Sequence, residues 1–167
     1  TLRLALSNGA VFHQIGTDGG LLPAPVPISS LTLSPGERAD VVIDFGSYSG
    51  GTTLRLVNDA PAPFPGSPGV GVVPDVLELR VKNQGGYAKA LPGSLRPLDQ
   101  LEEADATVFR SFELRKFPEA CAGSMWMING LEWDEVTELP VLGDTEVWSF
   151  VNRSGVVHPM HLHLEMF

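Results

Sequence analysis

Residues 28–45 read ISSLTLSPGERADVVIDF, and how this stretch divides sets the expectation for the fold. An apolar run, 28–33, stops at Ser34-Pro35-Gly36-Glu37, and a compact β-branched run, Val41-Val42-Ile43, follows before Phe45. Proline presets φ for the second position of a tight turn, and glycine accepts the positive φ that the third can require. Two short runs on either side of such a turn read as strands.

Outward from there the same grammar repeats. Leu2, Leu4 and Leu6 alternate with Arg3 and Ala5, the period of two that a strand imposes. Ser7-Asn8-Gly9 turns, 11–15 is a short strand, and Asp18-Gly19-Gly20 turns again. Residues 54–57 and 76–81 complete six or seven strands, the spacing of a β-sandwich. Residues 60–74 hold five prolines and are expected to form a long surface loop. Residues 84–106, with Pro92-Gly93-Ser94, Pro97 and the acidic Asp99, Glu102, Glu103 and Asp105, read as an interdomain linker with a helical turn near 98–103. Strands are then expected at 107–115, 126–128, 145–151 and 156–164. The division is therefore 1–83, a linker over 84–106, and 107–167.

Composition narrows the classes. With 18 glycines and 14 prolines in 167 residues, turns are frequent and long helices are disfavoured. A hydrophobic fraction of 43% suffices for a buried core and argues against disorder. A net charge of −9 argues against nucleic acid, which wants a basic face. No run is long and apolar enough for a membrane span. The single cysteine, Cys121, excludes an internal disulfide framework and a cysteine-rich zinc site. The chain opens on Thr1 and stops at Phe167 inside an expected strand, so a piece of a longer protein is expected.

Chemistry concentrates in His158-Pro159-Met160-His161-Leu162-His163. On a strand, side chains alternate faces, so His161 and His163 would share one face and His158 the other. Neutral imidazole ligates copper, zinc, iron and nickel. One segment would thus supply two metal sites. His13, between Phe12 and Gln14, reads as a structural histidine, Cys121 as an inert thiol, and Met125 and Met127 as core filler. Trp126, Trp133 and Trp148 read as core or interdomain residues, and Arg38 and Asp40 as a weak pair across a turn. Glu165 reads as a solvated position or a carboxylate behind the histidines.

HPMHLHLEMF, residues 158–167, resembles the third-domain copper motif of multicopper oxidases, in the branch of bilirubin oxidase, spore-coat laccase and phenoxazinone synthase. QIGTDGG at 14–20 and LSPGERADVVIDF at 33–45 are similar to the middle domain of that family. WMINGLEWDEVTE at 126–138 and GDTEVW at 143–148 are similar to the start of its third domain. The resemblance implies two cupredoxin-like Greek-key β-sandwiches, one nearly complete and one truncated. It implies His158 as a type 1 copper ligand, His161 as a type 2 ligand and His163 as a type 3 ligand. It implies small aromatic substrates and dioxygen as partners, together with the remainder of the same oxidase chain.

The family's His-Cys-His segment and its two earlier His-x-His pairs lie outside these 167 residues. The chain by itself is therefore expected to lack most copper ligands and to show no turnover. A non-enzymatic copper- or zinc-binding β-sandwich module is the alternative, and a cupin-type site would need a further histidine on a later strand. The Ala, Gly and Pro content suits a GC-rich bacterial source, with the compartment open between exported and cytoplasmic.

Overall fold

A computed structural model describes residues 1–66, 73–119 and 123–162. Among them the chain is all-β, with ten strands and one short 3-10 turn at Glu103–Asp105. No helix among the described residues is long and apolar enough to cross a membrane. The chain forms two compact units. One comprises Thr1–Leu98 with residues 159–162, and the other Asp99–His158.

The first unit holds seven strands: β1 Leu2–Leu6, β2 Phe12–Thr17, β3 Gly20–Ile28, β4 Leu31–Leu33, β5 Asp40–Val42, β6 Thr53–Asn58 and β7 Asp75–Arg80. They make two sheets, ordered β4-β1-β6-β7 and β3-β2-β5. The chain passes from one sheet to the other between β1 and β2, β3 and β4, β4 and β5, and β5 and β6. That is the winding of a sandwich. Strand periodicity explains the core: Leu4, Leu6 and Leu54 from one sheet and Phe12 from the other are buried. Among the described residues Asn58 is the buried polar residue, and both ends of its amide are hydrogen-bonded. Its Oδ1 accepts from Arg3 N at 2.9 Å and Ala60 N at 3.1 Å, and its Nδ2 donates to Val73 O at 3.1 Å.

The turn at Ser34–Glu37 has the expected form. Glu37 N donates to Ser34 O at 3.1 Å, and Gly36 has φ +91°. Only glycine takes that φ without strain, which makes this a type II turn with Pro35 ahead of it.

The first unit departs from the sequence reading at β3. Pro23, Pro25 and Pro27 all lie inside this nine-residue strand, where an apolar run had been expected only from Ile28. They are tolerated because β3 is an edge strand. The three prolines share one parity. Pro27 is paired with His13, Pro23 and Pro25 lie where the β2–β3 register shifts, and the carbonyl of Pro23 accepts from Leu95 N at 2.8 Å.

The second unit holds β8 Val108–Glu119, β9 Gly123–Ile128 and β10 Glu146–Asn152, ordered β10-β8-β9. β10 runs parallel to β8, and β9 antiparallel. Phe112 and Leu114 are buried. Phe112 packs against Trp148 at 5.0 Å and Phe150 at 5.1 Å between ring centroids. Met125 is not the core filler expected of it, and of the core and interdomain roles expected for Trp126 and Trp133 the core role does not hold. All three are exposed, because β9 is an edge strand and Trp133 lies beyond it in a loop.

Candidate metal centre

The expected strand over 156–164 does not form in its described part, 156–162. Side chains there tie up the backbone instead. Asn152 Nδ2 donates to Val156 O at 2.8 Å, and Ser154 Oγ lies 2.9 Å from the same oxygen. Pro159 has no N–H to offer a ladder. The argument from alternating strand faces therefore does not apply to His158 and His161. His163, Glu165 and Cys121 lie outside the described residues.

His158 belongs to the second unit and is partly buried. Its Nε2 lies 2.8 Å from Ser154 Oγ. Its ring meets the Trp126 ring edge-on, with centroids 4.7 Å apart and planes at 66°. Trp126 in turn lies under the Lys116 ammonium, 5.1 Å from the ring centroid. Neither Ser154 nor Trp126 was singled out in the sequence as a partner of this histidine.

His161 belongs to the first unit. There Asp18 carries a well-defined anion. Arg38 Nε donates to Asp18 Oδ1 at 2.9 Å, and Arg38 N donates to Oδ2 at 3.1 Å. Those bonds, above all the side-chain bond from Arg38, hold the Asp18 carboxyl below its ordinary range. Arg38 thus pairs with Asp18 and not with Asp40. The register explains it: Gly16 pairs with Asp40 across β2 and β5, which brings the turn after β2 beside the segment before β5. A Cβ at Gly16 would lie 2.8 Å from Asp40 Oδ2, so a larger residue there would have to displace the Asp40 carboxylate.

The strongest electrostatic feature lies in the second unit. Arg110 meets Glu146 in a two-pronged pair, Nε to Oε2 at 2.7 Å and Nη2 to Oε1 at 2.9 Å. Trp148 Nε1 donates to Oε2 at 2.7 Å. These donors push the Glu146 pKa down from 4.5 to about 2. A carboxyl lowered on folding stabilises the fold above its unfolded pKa, and that contribution is lost as pH falls. The second unit should therefore lose stability between pH 4.5 and about 2 as Glu146 takes up a proton. Glu146→Gln should unfold at lower temperature near neutral pH, with the difference from the native chain closing in that acid window. Parallel acid melts of the two proteins by circular dichroism would reject this if the gap stayed constant.

The fold defines a cupredoxin-like β-sandwich protein, and the comparisons with known proteins agree. No family model matches the chain. A laccase from Bacillus stratosphericus is 36% identical over 170 residues, covering 100% of this chain and 33% of that protein. A rice multicopper oxidase, LPR1 homolog 1 from Oryza sativa subsp. japonica, is 37% identical over 175 residues, covering 99% of this chain and 29% of that protein. The McoA multicopper oxidase of Aquifex aeolicus matches with a TM-score of 0.78 at 29% identity, covering 97% of this chain and 37% of that one. The chain is thus similar over its whole length to multicopper oxidases. It spans about a third of the length of the curated relatives it matches.

Proposed function

We propose that this chain is part of an oxidase of the laccase or bilirubin-oxidase type. Such an enzyme couples one-electron oxidation of phenolic, aromatic-amine, tetrapyrrole or metal-ion substrates to the reduction of dioxygen to water. One observation carries the reading: three histidines in H-x-x-H-x-H spacing, in a chain that laccases match over its whole length. In this reading His158 holds the type 1 copper, His161 the type 2 copper, and His163 one of the type 3 pair.

The donor chemistry fits copper, for which neutral imidazole is a suitable ligand. At His158, Ser154 engages Nε2, so Nδ1 is the nitrogen for a metal. Among the described residues no group of three or more His, Cys, Asp or Glu comes together. The remaining ligands would come from the rest of the same oxidase chain, and the 167 residues alone would be inactive. Copper, when bound, supplies the one-electron redox chemistry; the residues here supply ligands and their orientation.

The test is the intact mass of the native polypeptide with its copper content per chain. The expected result is a mass several-fold above 17.9 kDa, with copper enough for one type 1, one type 2 and one paired type 3 site. A native mass of 17.9 kDa with at most one metal ion would replace the oxidase with a non-enzymatic copper- or zinc-binding module.

A further inference from the structure

Ser154 Oγ stands at the centre of a small closed network. It lies 2.7 Å from Asn152 Oδ1, 2.9 Å from Val156 O, 3.3 Å from Val156 N and 2.8 Å from His158 Nε2. The Asn152 amide has one orientation, because Oδ1 also accepts from Ser154 N at 2.9 Å while Nδ2 donates to Val156 O at 2.8 Å.

A hydroxyl has one proton to give and two lone pairs to fill. Asn152 Oδ1 and Val156 O are both acceptors, so the Ser154 proton goes to one of them. The Val156 N–H fills one lone pair. The other lone pair faces His158 Nε2, and an oxygen with no proton left can only accept there. With the Ser154 proton given to Asn152 Oδ1, its shortest contact at 2.7 Å, the lone pair facing the ring is filled by an Nε2–H, which leaves Nδ1 bare. Trp126 bounds the ring on another side, edge-on at 4.7 Å.

We propose that Ser154, fixed by Asn152, is the positioning residue of His158: it holds the neutral ring in the Nε2–H tautomer and so makes Nδ1 the ligand atom. The inference rests on the reading of His158 as a copper ligand. Metal-binding histidines generally donate their second nitrogen to an outer partner, and removing that partner costs about 10–100-fold in metal affinity. A serine fills this role when its own proton is committed elsewhere, and Asn152 Oδ1 and Val156 O are the acceptors that can take it.

Ring nitrogen NMR on the full, metal-free chain labelled with ¹⁵N tests the tautomer directly. The native chain should show His158 as a single Nε2–H tautomer, with a ring N–H proton protected from solvent. Ser154→Ala should lose that proton signal and show averaged ring nitrogens, as a free neutral imidazole does. Ser154→Thr keeps the hydroxyl and should restore both. A native ring protonated on Nδ1, or Ser154→Ala with its protected Nε2–H intact, would overturn the proposal.

Copper retention against a chelator in the complete oxidase tests the metal half. Ser154→Ala should weaken type 1 copper by about 10–100-fold, and Ser154→Thr should recover it. His158→Ala should abolish type 1 copper binding. If His158→Ala keeps that copper, the ligand reading fails, while the tautomer result still decides the role of Ser154.

Discussion

Phe12→Ala lowers the stability of the first unit by about 3–5 kcal/mol, the range for deleting a fully buried aromatic side chain. Phe12 is 2% exposed and is the largest side chain buried to that degree among the described residues. It lies at the start of β2, paired with Ile28 of β3, and it is the buried aromatic that its sheet sends into the core. Against a typical domain stability of about 5–15 kcal/mol, such a loss removes a large share of the total. Tryptophan fluorescence would miss it, since Trp126, Trp133 and Trp148 all belong to the second unit. Amide hydrogen exchange in β1 and β6 is the suitable probe, and globally protected amides there should exchange about a hundredfold faster or more, at 1.4 kcal/mol per decade. Val11→Ala is the control. Val11 is 57% exposed, and its loss should fall within about 0.5 kcal/mol of zero. Equal effects at the two positions would mean that the core is not organised around Phe12.

The strands that the sequence displayed are those with an alternation or apolar run legible along the strand itself, without knowledge of its place in a sheet. β1 is bounded at Leu2–Leu6, where leucine alternates with arginine and alanine and one face is buried. β6 and β7 likewise follow their apolar runs. β3 was hidden because proline is read as a breaker unless the strand is known to be at an edge, and edge position is a property of the assembled sheet. Arg38 was misassigned for a related reason. Asp40 is near in sequence, but Asp18 is brought beside Arg38 only once β2 and β5 pair.

At the candidate site the ligand types were legible and their support was not. Three histidines in six residues are conspicuous in any sequence. Their spacing suggested alternating strand faces, yet the segment is shaped by Asn152 and Ser154, whose side chains capture the backbone of Val156. Serine four residues before a histidine carries no signal of its own. It acquires one only when the loop closes and its hydroxyl meets Nε2. Trp126 was equally silent, since it reaches His158 from a different strand, β9.

His158→Ala and His161→Ala should separate the two halves of the proposed reaction in the complete oxidase. In the proposed reading His158 serves the site where substrate electrons enter, and His161 the cluster where dioxygen is reduced. His158→Ala should therefore lose the blue-copper absorption that a type 1 site provides. It should also slow oxidation of a phenolic substrate by more than about 100-fold, beyond the effect of losing an outer partner. His161→Ala should keep the blue absorption and its bleaching by substrate under anaerobic conditions, yet fail to restore the colour when oxygen is admitted. Folding is not the confounder at His158. Its polar contact is with Ser154 and its packing is against an exposed tryptophan, so its loss leaves the Phe112 core intact. Thermal unfolding of the second unit should accordingly move little beside the loss of activity. Should His158→Ala retain blue absorption and full turnover, the assignment of the type 1 site falls. Should His161→Ala instead lose bleaching by substrate, the two histidines do not serve separate coppers, and the division of labour along this six-residue segment is wrong.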